Sequence, residues 1–304
     1  MLLRSRGTTR RRTGAVLASL ALALSLAACG EAGDEDGATD VEAEEVEPDK
    51  FEAGTRMAEL AESGEIVVGV KYDQPGLGFK DAASDIPTGF DVEIAKLLVA
   101  DLGIDPESDS VTWEETISDN REPYLQEGRV DLVLATYSIT DERRQLVGQT
   151  GPYMITGQQV LVLEDSDITG IEDLVGEEVC SVTGSTSLEN VEAAGAVGVP
   201  ADTYSQCAED VLNGSVPAMS TDGSILLGLA AQNEGELKVV GEEFSEERIG
   251  VGYSLDHPEM CEWINGVLTE SFEDGSWAEA FEATLGPAGV ETPEPPTLDP
   301  CPAA

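Results

Sequence analysis

Short apolar runs alternate with stretches of helical spacing through the middle of the chain. The apolar runs predict buried strands at residues Ile66–Val70, Val130–Ala135, Gln158–Leu163, Glu178–Val182 and Leu237–Val240. Apolar residues spaced three or four apart predict helices over Phe90–Leu102, from about Asp141, at Cys207–Leu212 and at Ile225–Ala231. Because strands alternate with helices, the pattern predicts an α/β protein with mainly parallel sheets.

The chain ends in one more helical pattern and a proline-rich tail. Apolar residues from Trp263 to Phe281 predict two amphipathic helices, with a break near Gly275. Residues 287–304 are rich in proline and predict an extended C-terminal tail, held in place only if Cys301 forms a disulfide.

The N-terminus has the parts of a lipoprotein signal peptide. Five arginines precede an apolar stretch from Ala15 to Leu26, and Leu26-Ala27-Ala28-Cys29 resembles the bacterial lipobox. The stretch is too short for a permanent membrane span, so residues 1–28 are predicted to be removed and Cys29 to carry a lipid. The alternative is an ordinary secretory signal followed by an unrelated cysteine. Residues 29–55 are acidic and predict a disordered tether, which places the protein on the outer face of the cell membrane, attached only through lipid.

Acidic residues dominate the composition and narrow the range of partners. The chain of 304 residues has 16 Lys+Arg and 61 Asp+Glu, a net charge of −45. Without residues 1–28, 11 basic residues remain against 61 acids, a net charge of −50. This charge disfavours nucleic acid and anionic membrane surfaces as partners, and it fits either solubility or a salt-rich habitat. Against this background, a basic side chain inside a cleft is informative.

Four cysteines remain once Cys29 is assigned to lipid, an even number that suits an oxidising compartment. We expect Cys180 to pair with Cys207, because a strand and the next helix can meet there. The remaining pair, Cys261 with Cys301, would tie the tail to the last helices. No CxxC motif is present and His257 is the single histidine, so no metal or cofactor is predicted.

Two polar turns follow predicted strands and a third is itself expected at a strand end, and ligands of open α/β sheets bind at such ends. They are Thr136 to Arg144, with Thr140 as a helix N-cap and Arg143 in the first turn; Gly184-Ser185-Thr186; and Ser220 to Gly223, which contains Asp222. An arginine in such a turn can form a bidentate pair with a carboxylate, and an aspartate can pair with an ammonium group. Taken singly, the arginines of the first turn are equally explained as surface residues, and the other two turns are more simply explained as helix caps.

Together these segments resemble the family 3 extracellular solute-binding proteins, the polar amino-acid receptors of ABC importers. The resemblance spans residues 56–286 and includes Gly89-Phe90-Asp91, the Val130-Asp131-Leu132-Val133 strand, Ser138-Ile139-Thr140, Gly184-Ser185-Thr186 and Thr221-Asp222. It is nearest to the actinobacterial glutamate-binding branch through the segments from Val70 to Gly78 and from Ala135 to Thr140. The resemblance implies a two-lobed, periplasmic-binding-protein-like fold of type II. Lobe 1 would comprise residues 56–156 and 250–286, and lobe 2 residues 157–249, joined by two hinge strands.

The same resemblance implies roles for named residues. Arg143 would bind the α-carboxylate of an amino acid and Asp222 its α-ammonium group. The carboxylate would also meet Thr136, Ser138 and the backbone N–H groups of Ser185 and Thr186. Pro217 departs from the family pattern, which has an acid there, and this puts the start of the local strand in question.

Side-chain specificity would come from three further positions. The family reads the ligand side chain at the residue after the first strand, which is Lys71 here, and at Arg121, with Ser118 one helical turn earlier. Two basic residues at these positions favour glutamate as ligand, with aspartate, glutamine and asparagine as alternatives. Lys71 has a competing interpretation, an ion pair with Asp73 or Asp91.

The expected function is therefore a monomeric, non-enzymatic receptor that delivers an acidic amino acid to an ABC transporter permease. Two alternatives stay open, an enzyme on the same fold, such as a cyclohexadienyl dehydratase, and an amino-acid sensory receptor. An enzyme would need a proton-transfer group at the substrate, and His257 lies far from the motif positions.

Overall fold

The computed structural model describes residues 50–302, together with Thr39, Val41 and Ala43. The predicted signal peptide, the lipidation site Cys29 and most of the predicted tether lie outside the described residues. Within the described part of the chain, no helix has the length and apolar character needed to cross a membrane.

The described residues form twelve strands and eight α-helices. The strands are β1 Ile66–Val70, β2 Asp73–Gln74, β3 Gly78–Phe79, β4 Val111–Glu115, β5 Leu132–Leu134, β6 Gly148–Thr156, β7 Gln158–Leu163, β8 Glu178–Val182, β9 Val197–Ala201, β10 Ala218–Asp222, β11 Leu237–Val240 and β12 Glu247–Tyr253. The helices are α1 Arg56–Ser63, α2 Phe90–Asp101, α3 Arg121–Gln126, α4 Thr186–Ala193, α5 Tyr204–Leu212, α6 Gly223–Gln232, α7 Met260–Asp274 and α8 Ser276–Thr284.

Two five-stranded sheets divide the molecule into two lobes. The first sheet has the order β4-β1-β5-β12-β6 and the second the order β11-β7-β10-β8-β9, with β2 and β3 forming a separate hairpin. The chain passes from the first sheet to the second between Thr156 and Gln158, and it returns between Val240 and Glu247. This is the two-lobed α/β fold that the sequence predicts. The predicted lobe boundaries and hinge positions stay predictions.

Two local predictions are wrong. Both sheets are mixed rather than mainly parallel, because β6, β7 and β12, which flank the two crossings, pair antiparallel with their neighbours. The helix predicted from about Asp141 is a single 3-10 turn, Arg143–Gln145. Thr140 does cap this turn, since its Oγ1 accepts from the Arg143 N–H at 3.1 Å, but β6 begins at Gly148 and leaves room for little more. Pro217, which departs from the family pattern, immediately precedes strand β10, which begins at Ala218.

An aromatic cluster holds the last helices against the first sheet. The ring of Phe90 on α2 lies edge-on to Tyr153, Trp277 and Phe281, with centroids 5.1–5.9 Å apart. The Trp277 indole N–H donates to the Tyr153 carbonyl at 2.8 Å, which satisfies its only donor. The helix break near Gly275 is confirmed, and its φ of +94° is a left-handed conformation that favours glycine.

Both disulfides have the pairing predicted from the sequence. Cys180 on β8 bonds Cys207 on α5, and Cys261 on α7 bonds Cys301 in the tail. The tail is further held by Asp299, whose carboxylate pairs with Arg144 at 2.7 Å and with Arg248 at 2.5 Å. The end of the tail is therefore packed against the first lobe.

Replacing both cysteines of either disulfide with alanine should lower the free energy of unfolding. The closed loops span 27 and 40 residues, for which chain entropy gives an upper figure of about 3.5–4 kcal/mol each. Urea denaturation followed by circular dichroism measures the loss against the oxidised wild type. A loss below about 1 kcal/mol for the Cys261 and Cys301 pair would contradict a structural role for the tail.

Candidate ligand-binding site

The nine residues predicted to bind ligand lie in short segments that follow strands of both lobes or begin helices beside them. Eight of these residues are buried, each with 9% or less of its surface exposed, and Thr186 is half-buried. From the first lobe come Lys71, Ser118, Arg121, Thr136, Ser138 and Arg143, and from the second Ser185, Thr186 and Asp222.

Lys71 is a buried cation without an acidic partner. It directly follows β1, is 3% exposed, and its Nζ donates to Ser118 Oγ at 2.8 Å. Among the described residues it pairs with neither Asp73 nor Asp91, so the competing ion pair is not formed. Burial, reinforced by the charge of Arg121, lowers the pKa of Lys71 to about 7.

Arg121 and Arg143 lie on the ring of Tyr137 and reach the opposite lobe. Their guanidinium carbons are 4.5 and 4.9 Å from the ring centroid, a cation–π arrangement. Both donate to the Gly184 carbonyl of the second lobe, at 3.1 and 2.9 Å. Arg143 also donates to the Ser138 carbonyl at 2.7 Å and pairs with Glu122 at 3.2 Å. Burial, followed by repulsion from Arg143, lowers the pKa of Arg121 to about 10.

Thr136 adopts a strained backbone that Asp91 holds in place. Its φ of +44° is the single positive value found at a non-glycine residue in the described ranges. Asp91 Oδ2 accepts from the Thr136 N–H at 2.7 Å and lies 2.9 Å from its Oγ1, while Oδ1 accepts from the Tyr153 hydroxyl at 2.7 Å. Burial raises the pKa of Asp91, although these hydrogen bonds oppose the rise. The strain places the Thr136 carbonyl 3.2 Å from Arg121.

Asp222 supplies an unpaired acceptor from the second lobe. It is 4% exposed, and its Oδ1 has no hydrogen-bond partner in the part of the chain the structure describes. Burial and the nearby charge of Glu247 raise its pKa well above the usual range. An unpartnered buried carboxylate oxygen is costly, so an ammonium group placed here would be strongly favoured.

The hydroxyl-rich turn of the second lobe closes the cluster. Ser185 caps α4, since its Oγ accepts from the Leu188 N–H at 3.1 Å, which is the alternative that the sequence left open for this turn. Thr186 Oγ1 lies 3.3 Å from Ser138 Oγ across the cleft and donates to Glu247 at 3.1 Å. The Ser185 N–H donates to the Val182 carbonyl at 3.2 Å in this conformation.

The matching family model describes bacterial extracellular solute-binding proteins, family 3, and it covers residues 66–287. The chain belongs to this family. This family 3 protein is 37% identical over 287 residues, 91% of each chain, to a glutamate-binding protein of Corynebacterium efficiens. It is 31% identical to a glutamine-binding ABC transporter protein of Bacillus subtilis, over 88% of this chain and 94% of the relative.

Solved structures include an ancestral arginine-binding protein bound to glutamine. The match has a TM-score of 0.68 and 34% identity, and it covers 73% of this chain and 98% of the other. It supports the type II two-lobed fold of this family 3 protein, whose family is extracellular.

Sequence reasoning missed several polar residues that build the site. They are Gln74, Glu122, Tyr137, Tyr204 and Glu247. Gln74 is fully buried, its Oε1 lies 2.6 Å from Thr136 Oγ1, and its Nε2 has no partner within the described ranges. Gln74 lies in the Val70 to Gly78 segment that carries the family resemblance, which is the signal that could have found it. Among the described residues, no group of His, Cys, Asp or Glu side chains is arranged to hold a metal ion.

Asp91→Ala should lower the free energy of unfolding by about 2–4 kcal/mol, because it leaves buried N–H and hydroxyl groups unpaired. Asp91→Asn is the matched control, since it keeps one acceptor oxygen in the same space. Urea denaturation of both variants measures the difference. Equal losses would show that the space Asp91 fills, and not its hydrogen bonds, accounts for its effect.

Proposed function

We propose that the protein captures an acidic amino acid, with glutamate favoured, between its two lobes and delivers it to an ABC importer. The observation that carries the proposal is the pair Lys71 and Arg121. Both are nearly fully buried, and neither forms an ion pair with a residue that the structure describes. Buried cations are costly unless they are paired, so an anionic ligand group is the natural partner.

The charges of the cluster match a dicarboxylic amino acid. Arg143 contacts described residues with three of its five N–H groups, which leaves two for an α-carboxylate. Asp222 has a free oxygen for the α-ammonium group. Lys71 and Arg121 then supply positive charge for a second carboxylate, with Ser118, Thr136, Ser138, Ser185 and Thr186 as polar neighbours. Aspartate, glutamine and asparagine fit the same frame less completely.

The relatives support binding and transport. The Corynebacterium protein is a glutamate-binding protein, and the Bacillus relative is a glutamine-binding protein of an ABC transporter. Closure would hinge near residues 156–158 and 249–252, close to the two crossings between sheets. We further propose that the mature protein is a monomer tethered to the outer face of the membrane by lipid on Cys29.

The enzyme and sensor alternatives have less support. An enzyme needs a proton donor or acceptor at the substrate. His257 lies in the turn after β12, 3.8 Å from Glu259, away from the cluster. Recovery of bound amino acid in unchanged form distinguishes a receptor from an enzyme. A sensor would share the site and differ only in its partner.

The two ends of the ligand should respond to different substitutions. Arg143→Ala should weaken glutamate and glutamine alike, by more than tenfold, because loss of one member of a buried charge pair costs about 2–5 kcal/mol. Lys71→Met and Arg121→Met should weaken glutamate much more than glutamine. Calorimetric titration of both ligands, starting from ligand-free protein, measures the ratio.

Lys80→Met is the control for these variants, because it removes a charge that stacks on Tyr72 outside the cluster. It should leave both affinities unchanged. If Lys71→Met and Arg121→Met both preserve the glutamate-to-glutamine ratio, the acidic-ligand assignment is wrong while amino-acid binding stands.

Glutamate binding should weaken as the pH rises above about 7. Burial and Arg121 lower the pKa of Lys71 to about 7 in the ligand-free protein, and a bound carboxylate would raise it again. Binding above this pH therefore takes up a proton, and the affinity falls by at most about tenfold per pH unit. Below about pH 6, Lys71 is charged in both states and contributes no slope.

Titrations in two buffers of different ionisation enthalpy measure the proton uptake directly. Lys71→Met should abolish it. Uptake of the same size in that variant would assign the titration to another group.

A further inference from the structure

A carboxylate of the first lobe reaches a helix of the second lobe outside the predicted ligand cluster. Asp73 lies in β2, in the hairpin that follows Lys71. Its Oδ2 accepts from the N–H groups of Tyr204 at 2.8 Å and Ser205 at 3.3 Å, the first two residues of α5.

These two N–H groups have no partner within their own helix. The first turn of an α-helix leaves its N–H groups free and carries partial positive charge, so a carboxylate is a favourable partner. The helix also has its own cap, since Thr203 Oγ1 accepts from the Gln206 N–H at 3.3 Å. Asp73 thus adds two hydrogen bonds that exist only while the lobes are together.

The contact is linked to the ligand cluster on both sides. Asp73 is two residues from Lys71. The buried Tyr204 side chain lies beside the hydroxyl groups of Ser187, Thr221 and the ligand-site residue Ser185. A shift of Asp73 relative to α5 would therefore accompany separation of the two halves of the site.

A second contact of the same hairpin supports the interpretation. The Pro75 carbonyl approaches Gly228 on α6 so closely that a Cβ at Gly228 would lie 2.2 Å from its oxygen. Real Cβ atoms do not reach such distances, so the hairpin packs on the second lobe only because residue 228 is glycine. The hairpin therefore contacts two helices of that lobe, through Asp73 at α5 and Pro75 at α6.

We infer that Asp73 is a positioning residue that stabilises the closed form through the N-terminus of α5, and so sets affinity without touching the ligand. The inference rests on the proposed function, in which the lobes close on an amino acid. The role of Asp73 differs from that of Lys71, because Asp73 would slow dissociation of any bound amino acid without distinguishing between ligand side chains.

The test compares Asp73→Ala and Asp73→Asn with Asp85→Ala, which removes an exposed charge from the same lobe. L-glutamate and L-glutamine are titrated against each variant, dissociation rates are measured by stopped flow, and exchange of the Tyr204 amide is followed in ligand-saturated protein. Asp73→Ala should weaken both ligands by the same factor, roughly tenfold, mainly through faster dissociation. Asp73→Asn should lose less, and Asp85→Ala nothing.

The Tyr204 amide hydrogen should exchange faster in Asp73→Ala than in the wild type. A general loss of stability would instead speed exchange at many amides and not at Tyr204 in particular. Gly228→Ala tests the hairpin contact independently of Asp73. Alanine favours a helix by about 1 kcal/mol relative to glycine, yet its Cβ would clash with the Pro75 carbonyl, so this variant should weaken the binding of both ligands. A changed glutamate-to-glutamine ratio in Asp73→Ala, or unchanged Tyr204 exchange, would overturn the inference.

Failure of the proposed function is recognised separately. If the wild type binds neither amino acid, small-angle X-ray scattering of the ligand-free protein still tests whether Asp73 holds the lobes together. A larger radius of gyration in Asp73→Ala than in the wild type supports a role for Asp73 in holding the lobes together, and equal radii reject that role.

Discussion

The site depends on keeping Lys71, Arg121 and Arg143 buried close together. Mutual repulsion and lost hydration both disfavour this arrangement, and the lowered pKa of Lys71 and Arg121 reflects that cost. The arginines are held by backbone carbonyls and by the face of Tyr137, which accept positive charge without neutralising it. Of these three cations, Arg143 alone forms an ion pair with a residue that the structure describes, Glu122. These three cations therefore lie close together inside a strongly acidic protein, and under the proposed function they are the groups that an acidic ligand would meet.

The fold concentrates these charges by bringing strand ends from both sheets to one cleft. Lys71 follows β1, the Thr136–Ser138 segment follows β5, the Gly184–Thr186 turn follows β8, and Asp222 ends β10. Parallel pairing of β1 with β5, and of β8 with β10, puts the ends of each pair side by side. The crossings between lobes then bring the two sets face to face, and the Gly184 carbonyl marks where they meet.

Strand ends are local signals that located the three polar turns, while the family resemblance supplied Lys71, Ser118 and Arg121. The residues that support the site could not be located in either way. Asp91 lies 45 residues from Thr136, and Glu247 lies 61 residues from Thr186, so no spacing in the sequence relates these partners. The missing helix after Thr140 shows the reverse error, because a correct cap signal says nothing about how soon the next strand begins. The disulfides were predictable because four cysteines allow few pairings. Cys180 and Cys207 meet although α4 and β9 separate β8 from α5 along the chain.

Several of the 61 acids have individual roles that are set by the groups they contact. Asp91 supports a strained backbone, Asp299 holds the tail through two arginines, and Asp222 keeps a free oxygen. Asp73 differs from these because its partners lie on the other lobe. Two residues from Lys71, its charge is directed to a helix N-terminus rather than to the lysine. Among the described residues Asp73 forms no ion pair with Lys71, so under the proposed function the contact between the lobes and the cation that would meet an acidic ligand use separate partners.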